Sequence, residues 1–155
     1  MALVRPGTIN DIVDVYRLMR MSHREGRYTV FPIDEDKTAE FVQRVLASDD
    51  YCFFVAEDNS GVFGCFVGYI YEPFFSRARF SCDQFVYVTP EKRKGSLAFL
   101  RLIRMYELWA QDKRAGEIQL GASTGINDKK YVEVLERIGY RQSVVIVSKE
   151  NADGR

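Results

Sequence analysis

Residues 88–99 read VTPEKRKGSLAF, and the character of the chain turns over within them. Val88 closes a β-branched, aromatic run, and Pro90 breaks it. Lys92, Arg93 and Lys94 crowd against Gly95, and an apolar-striped helix then begins. Ala98, Leu102, Met105 and Trp109 form one side of that helix, and Phe99, Ile103, Tyr106 and Ala110 widen the stripe. Three cations and a glycine between a strand and a helix admit two readings. One is a solvated turn. The other is an anion site, in which backbone N–H groups at a helix start receive phosphate.

Downstream, the helix is expected to run to about Lys113, and EIQLGAS after Gly116 reads as a strand. A helix from Asn127 to Ile138 stops at Gly139, a glycine placed to take the left-handed conformation past a helix end. YRQSVVIVSKE reads as a last strand and NADGR as a frayed tail. Upstream, residues from Arg79 to Val88 form a strand, reached by the loop EPFFSRA from a hairpin of YCFFVAE and VFGCFVGYIY around the turn DNSG. These strands are apolar nearly throughout, so both sheet faces should be covered.

At the N-terminus, residues 2–5 suit a short strand ended by Pro6 and Gly7. Thr8, three before Asp11, is an N-cap pattern for a helix turning Ile9, Ile12, Val15, Tyr16 and Met19 inward. After the loop SHREGRYTVFPID, Asp34 caps a second helix with Ala39, Val42, Val45 and Leu46 inward. The predicted order is β-α-α-β-β-β-α-β-α-β: an α/β (α+β) protein with a mixed sheet and helices on both faces.

Composition narrows the chemistry. The 155 residues suit one domain, 1–155, with a single core. The 22 basic and 22 acidic residues cancel, which argues against general nucleic-acid or membrane-surface binding, so a basic cluster must act locally. The sequence shows no signal peptide, long apolar run or lipidation signature, and a cytoplasmic protein is expected. Cys52, Cys65 and Cys82 lie in apolar runs without CxxC spacing and read as reduced core thiols. With His23 the only histidine, no metal site is expected.

The element order, with a basic glycine turn between the fourth strand and third helix, resembles the GNAT superfamily of N-acetyltransferases over nearly the whole chain. The family motif R/Q-x-x-G-x-G/A is met by Arg93-Lys94-Gly95-Ser96-Leu97-Ala98, with Ser96 in the central glycine position. An asparagine after the fifth strand and a helix ending in glycine-aromatic are matched by Asn127 and Gly139-Tyr140.

The resemblance implies acetyl-CoA as co-substrate and no metal. Its pyrophosphate would lie on residues 93–98, and Asn127 would contribute to the same site. Its pantetheine would pair with the backbone of Val86 and Val88, one N–H polarising the thioester carbonyl. The acceptor would be a small-molecule or peptide amine, with no nucleic acid or membrane partner, and a homodimer is compatible with the family. His23, Glu25, Tyr28 and Phe31 fall where the family's first interhelical loop borders the acceptor.

The expected reaction is direct acetyl transfer to a primary amine in a ternary complex. The alternative is a GNAT-like module that binds acyl-CoA or a protein without turnover. An amine of pKa near 10.4 is neutral in about one molecule in a few thousand at pH 7, so a base is useful. Asp83 is the only carboxylate on the fourth strand. Strict alternation puts it on the face of Phe85 and Tyr87, leaving Gln84 toward the site to order a water, whereas a bulge at residues 84–86 would turn Asp83 there. Many family members carry a tyrosine four residues before the helix-ending glycine, as acid to the departing thiolate. Leu135 stands there instead. Tyr131, one helical turn earlier on the same face, either substitutes or packs.

Overall fold

A computed structural model describes residues 2–94 and 97–151. Gly95 and Ser96 of the expected anion turn, and most of the NADGR tail, lie outside the described residues. The elements are β1 (Leu3–Pro6), a 3-10 turn (Ile9–Asp11), α1 (Ile12–Glu25), α2 (Glu35–Leu46), β2 (Tyr51–Asp58), β3 (Gly61–Tyr71) and β4 (Phe80–Val88). There follow α3 (Pro90–Arg93), α4 (Ala98–Asp112), β5 (Glu117–Gln119) and α5 (Asp128–Arg137).

The five strands are ordered β1-β2-β3-β4-β5, antiparallel except for β4 with β5, so the sheet is mixed as expected. Pro6 belongs to β1 rather than ending it; on an edge strand its missing N–H leaves no ladder bond unmade. Two separate cores cover the two faces. Val15, Leu18, Val42 and Val45 of α1 and α2 pack on Val55, Cys65, Val67 and Tyr87. Ala98, Leu102, Ile103 and Tyr106 of α4, with Leu135 of α5, pack on Phe54, Phe66 and Val88. Alternation along β2 to β4 sends successive residues to opposite cores, which explains why the strands carry little polar surface.

Local chemistry sets the helix starts. Asp34 accepts from the Lys37 backbone N–H at 2.9 Å and caps α2 as expected. The Thr8 N–H and hydroxyl both donate to Asp11, at 2.7 and 3.1 Å. Arg5 also reaches Asp11, at 2.8 Å, and holds its carboxyl below the usual range. The first turn here is 3-10, which rotates further per residue than an α-helix. Ile9 is therefore exposed rather than inward, and the stripe begins with Ile12, packed against the core, followed by the buried Val15 and Leu18. Leu46, the last residue of α2, is exposed as well. Gly139 has φ 105° beyond α5, the conformation read from its position.

One expected element is absent. Residues 140–151 form no strand, and Val144, Val145, Ile146 and Val147 are all exposed. β-branched side chains suit a strand, but a strand exists only where another backbone pairs with it, and β5 offers three paired residues, all facing β4. The last strand of the predicted order is thereby corrected to a segment with no strand pairing among the described residues.

Candidate active site at the β4–β5 fork

β4 and β5 pair only at Phe80–Glu117, Ser81–Ile118 and Cys82–Gln119. Beyond that point β5 ends, and from Phe85 to Val88 the β4 edge away from β3 has no strand partner among the described residues. The fork begins at a bulge. Val67 pairs with Phe85 and Gly68 with Asp83, so Gln84 has no partner on β3. Gly68 is required opposite it, since a Cβ there would sit 2.9 Å from the Tyr106 ring and 3.0 Å from Phe66.

The bulge sends the neighbouring side chains Gln84 and Asp83 to different places. Gln84 lines a cleft on the α1/α2 side. Asp83 lies at the apex of the fork, where its Oδ1 accepts the Gly121 N–H at 2.6 Å and bridges β4 to the chain leaving β5. Burial pushes its carboxyl up to about 6, with the Gly121 bond opposing.

The charge of Asp83 also acts on Tyr131 of α5, whose phenol is held far above its ordinary pKa chiefly by burial. Tyr131 thus keeps its proton. Its ring meets Phe99 edge-on at 5.5 Å, and its buried hydroxyl has no hydrogen-bond partner among the described residues. Such an orphan is uncommon and marks a place where a further polar group belongs. Leu135, at the position where the resemblance has tyrosine, is packed into the α4 core.

The basic turn divides its labour. Arg93 is turned inward: its Nε donates to the Val88 carbonyl at 2.7 Å, its Nη2 reaches Glu25 at 2.7 Å, and its guanidinium lies 5.0 Å over the Tyr87 ring. The Tyr87 hydroxyl donates to the same Glu25 at 2.9 Å, so Glu25 ties the end of α1 to β4 and is held below its ordinary pKa, first by Arg93. Lys92 pairs with Asp58 at 2.5 Å, and Lys94 is exposed. Leu97 is the exposed cap of α4, and Ala98 is fully buried at its first position. The first turn of α4 contains no carboxylate, so no acidic side chain there offsets the positive end of its dipole.

Val86 and Val88 turn their side chains to the α4 core, along the edge of β4 left open by the fork. Asn127 caps α5 in the left-handed conformation, φ 52°, and its carbonyl accepts the Tyr131 N–H at 3.0 Å.

The cleft beside Gln84 encloses about 570 Å³, bounded by α1, α2, their connecting loop and β4. His23, Tyr28 and Phe31 line it; Glu25, committed to Arg93, does not. Sequence reading passed over Phe41, Phe85, Lys37 and Arg44, which also line it and which look like ordinary amphipathic positions in the chain. It also passed over Arg27, which donates to the Ser123 carbonyl from Nε at 2.8 Å and to the Thr124 carbonyl from its backbone at 2.8 Å, holding the loop beyond β5 against the loop after α1. Gly121 left one faint trace, a glycine closing an apolar strand.

No family model and no curated protein matches the chain. Solved structures do. A glucosamine-6-phosphate N-acetyltransferase from Arabidopsis thaliana aligns over 97% of this chain and 98% of its own, with TM-score 0.75 at 12% identity. The aminoglycoside 6'-N-acetyltransferase AAC(6')-Ih from Acinetobacter baumannii aligns over 97% and 99%, with TM-score 0.72 at 15% identity. A GNAT family acetyltransferase from Staphylococcus aureus aligns over 97% and 98%, with TM-score 0.68 at 15% identity. Full-length superposition at this level, together with the forked β4–β5 pair and the helices on both faces, shows that the chain has the fold of the GNAT acetyltransferases.

Proposed function

We propose that residues 1–155 are one acetyltransferase domain, cytoplasmic, that moves the acetyl group of acetyl-CoA directly to a primary amine. The observation that carries this reading is the fork, with Asp83 at its apex and the partnerless Tyr131 hydroxyl on one side. An open backbone edge and an unsatisfied buried donor suit the amides and thioester of a pantetheine arm. Acetyl-CoA supplies the activated acyl group.

The chain's own residues do the rest. The backbone of Val86 and Val88 orients the arm, and an N–H of this edge polarises the carbonyl, an interaction typically worth about 3 kcal/mol. Residues 93–98 hold the pyrophosphate at the start of α4; Gly95 and Ser96 enter this assignment on sequence grounds. Arg93 contributes by fixing the turn to Glu25 and Val88, leaving Lys94 as the exposed cation. Asn127 shapes the start of α5 and so aims Tyr131. The amine enters from the cleft beside Gln84, and Asp83, at the apex of the fork, takes its proton. A nitrogen–carbon bond forms, the carbon–sulfur bond breaks, and Tyr131 can give its proton to the departing sulfur, so that amine and thioester become amide and thiol.

The test is thiol release from acetyl-CoA across a panel of amines, alongside calorimetry of coenzyme A. Micromolar binding is expected, and Gly95→Asp should abolish it by adding negative charge beside the pyrophosphate. A wild-type protein that shows no heat with coenzyme A would end the proposal.

A further inference from the structure

The cleft beside Gln84 has a composition that selects among amines. Its floor is aromatic and aliphatic, with Phe31, Phe41 and Phe85 among its walls. Its charged rim comes from α2, where Lys37, Phe41 and Arg44 stand at spacings of four and three on one helix face. Two turns separate Lys37 from Arg44, about 10 Å along the axis. Arg44 lies 5.7 Å over the Phe41 ring. Neither cation is in an ion pair among the described residues. The one carboxylate in the lining, Asp34, is engaged as the α2 cap. Glu35, Asp36 and Glu40 of the same helix do not line the cleft.

We infer that this cleft takes an amine with an apolar or aromatic body and a carboxylate, that is, a hydrophobic α-amino acid or a close analogue. The inference rests on the acetyltransferase reading for its chemistry, though the binding it describes does not require turnover. The body lies against Phe31, Phe41 and Phe85, the carboxylate faces Lys37 and Arg44, and the amine points to Gln84 and the fork. The same electrostatics oppose polycations. An aminoglycoside would bring several ammonium groups to a rim where Lys37 and Arg44 outweigh Asp34, which separates this cleft from one built for the compounds named in the aminoglycoside acetyltransferases of the same fold.

The experiment measures ligand binding by NMR titration of the protein without coenzyme A, using L-phenylalanine, phenethylamine and kanamycin, and then thiol release with the same three. Phenethylamine has the ring and the amine without the carboxylate. L-phenylalanine should bind at least tenfold more tightly than phenethylamine, and kanamycin weakest of all. The double variant Lys37→Gln/Arg44→Gln, at two exposed helix positions, should erase the preference for L-phenylalanine without weakening phenethylamine. Kanamycin binding more tightly than L-phenylalanine, or a preference that survives the double variant, overturns the inference. Binding of L-phenylalanine with no thiol release from any amine would uphold the cleft assignment and defeat the acetyltransferase reading. Thiol release with kanamycin but neither binding nor release with L-phenylalanine would do the reverse.

Discussion

The two halves of β4 differ in what lies along their edges. From Phe80 to Cys82 the strand is paired on both sides, with β3 and with β5, and Ser81 is fully buried. From Phe85 to Val88 it is paired only with β3. Gln84, the bulged residue, marks the boundary. In the first half the backbone has a strand on each side, so its residues serve stability. In the second, polar backbone is left along one edge, and the surroundings collect a raised carboxyl, an orphan hydroxyl and a cleft. A sheet that closed completely would be more stable and would have nowhere to hold a ligand.

Substitutions should separate the halves by what they damage. The largest effect is expected on the closed side. Tyr106, fully buried, packs tilted against Phe66 with ring centroids 4.5 Å apart and donates to the Gln119 carbonyl at 3.0 Å, holding β5 against the α4 core. Tyr106→Ala should cost about 3–5 kcal/mol of stability, read as a fall in the urea midpoint. A midpoint within experimental scatter of the wild type would mean that β5 is held by its strand pairing alone.

On the forked side the effects should fall on activity. Asp83→Asn should lower kcat/KM tenfold or more at neutral pH and flatten the acidic limb, which in the wild type should turn near pH 6. Coenzyme A affinity should change little, because this carboxylate acts on the amine.

The same substitution should raise stability. The folded carboxyl titrates above its ordinary value of 3.8, so the folded state binds the proton more tightly than the unfolded chain. Stability is therefore lost as pH rises from about 4 through 6, and at neutral pH the charged form carries the full cost of burial, on the order of 1–3 kcal/mol. Asparagine keeps an oxygen for the Gly121 N–H and has no charge. Asp83→Asn should unfold at a higher urea concentration than the wild type at pH 7.5, with the gap closing toward pH 4. A less stable variant at pH 7.5 would show that the carboxylate is a structural clamp.

Tyr131→Phe is expected to have the smallest effect. A thiolate leaves with a conjugate-acid pKa of about 8.5, so removing its proton donor should reduce kcat by roughly three- to tenfold. Losing an unpartnered buried hydroxyl should leave stability unchanged or slightly higher. A loss of kcat below twofold removes Tyr131 from the chemistry and leaves it as packing against Phe99.

Most of the architecture is legible in the chain because it follows from local pattern. The hairpin of β2 and β3, the N-cap at Asp34, the stripe of α4 and the glycine after α5 each rest on spacing, turn chemistry or a capping residue within a few positions. Asp83 and Tyr131 could be nominated by chemical type and by the resemblance, as could His23, Tyr28 and Phe31 on the border of the cleft beside Gln84. Whether Asp83 faces the fork or the opposite core depends on the residue inserted at Gln84, and a bulge is created by pairing with β3 rather than by the sequence of β4 alone.

The remaining features belong to tertiary structure for the same reason: each needs a partner distant in the chain. Val144–Val147 has the composition of a strand but no backbone beside it. Arg93 belongs to a basic turn in sequence, yet it faces Glu25, sixty-eight positions away. Lys37 and Arg44 read as a solvated helix face until the loop after α1 folds over and makes that face a wall of the cleft. The sequence by itself determined most of the elements, their order and the types of residue available for chemistry. Only the packed structure decided which edge stays open, which charges are spent on one another, and which hydroxyls are buried without a partner among the described residues, because long-range contacts set hydrogen-bond satisfaction and desolvation.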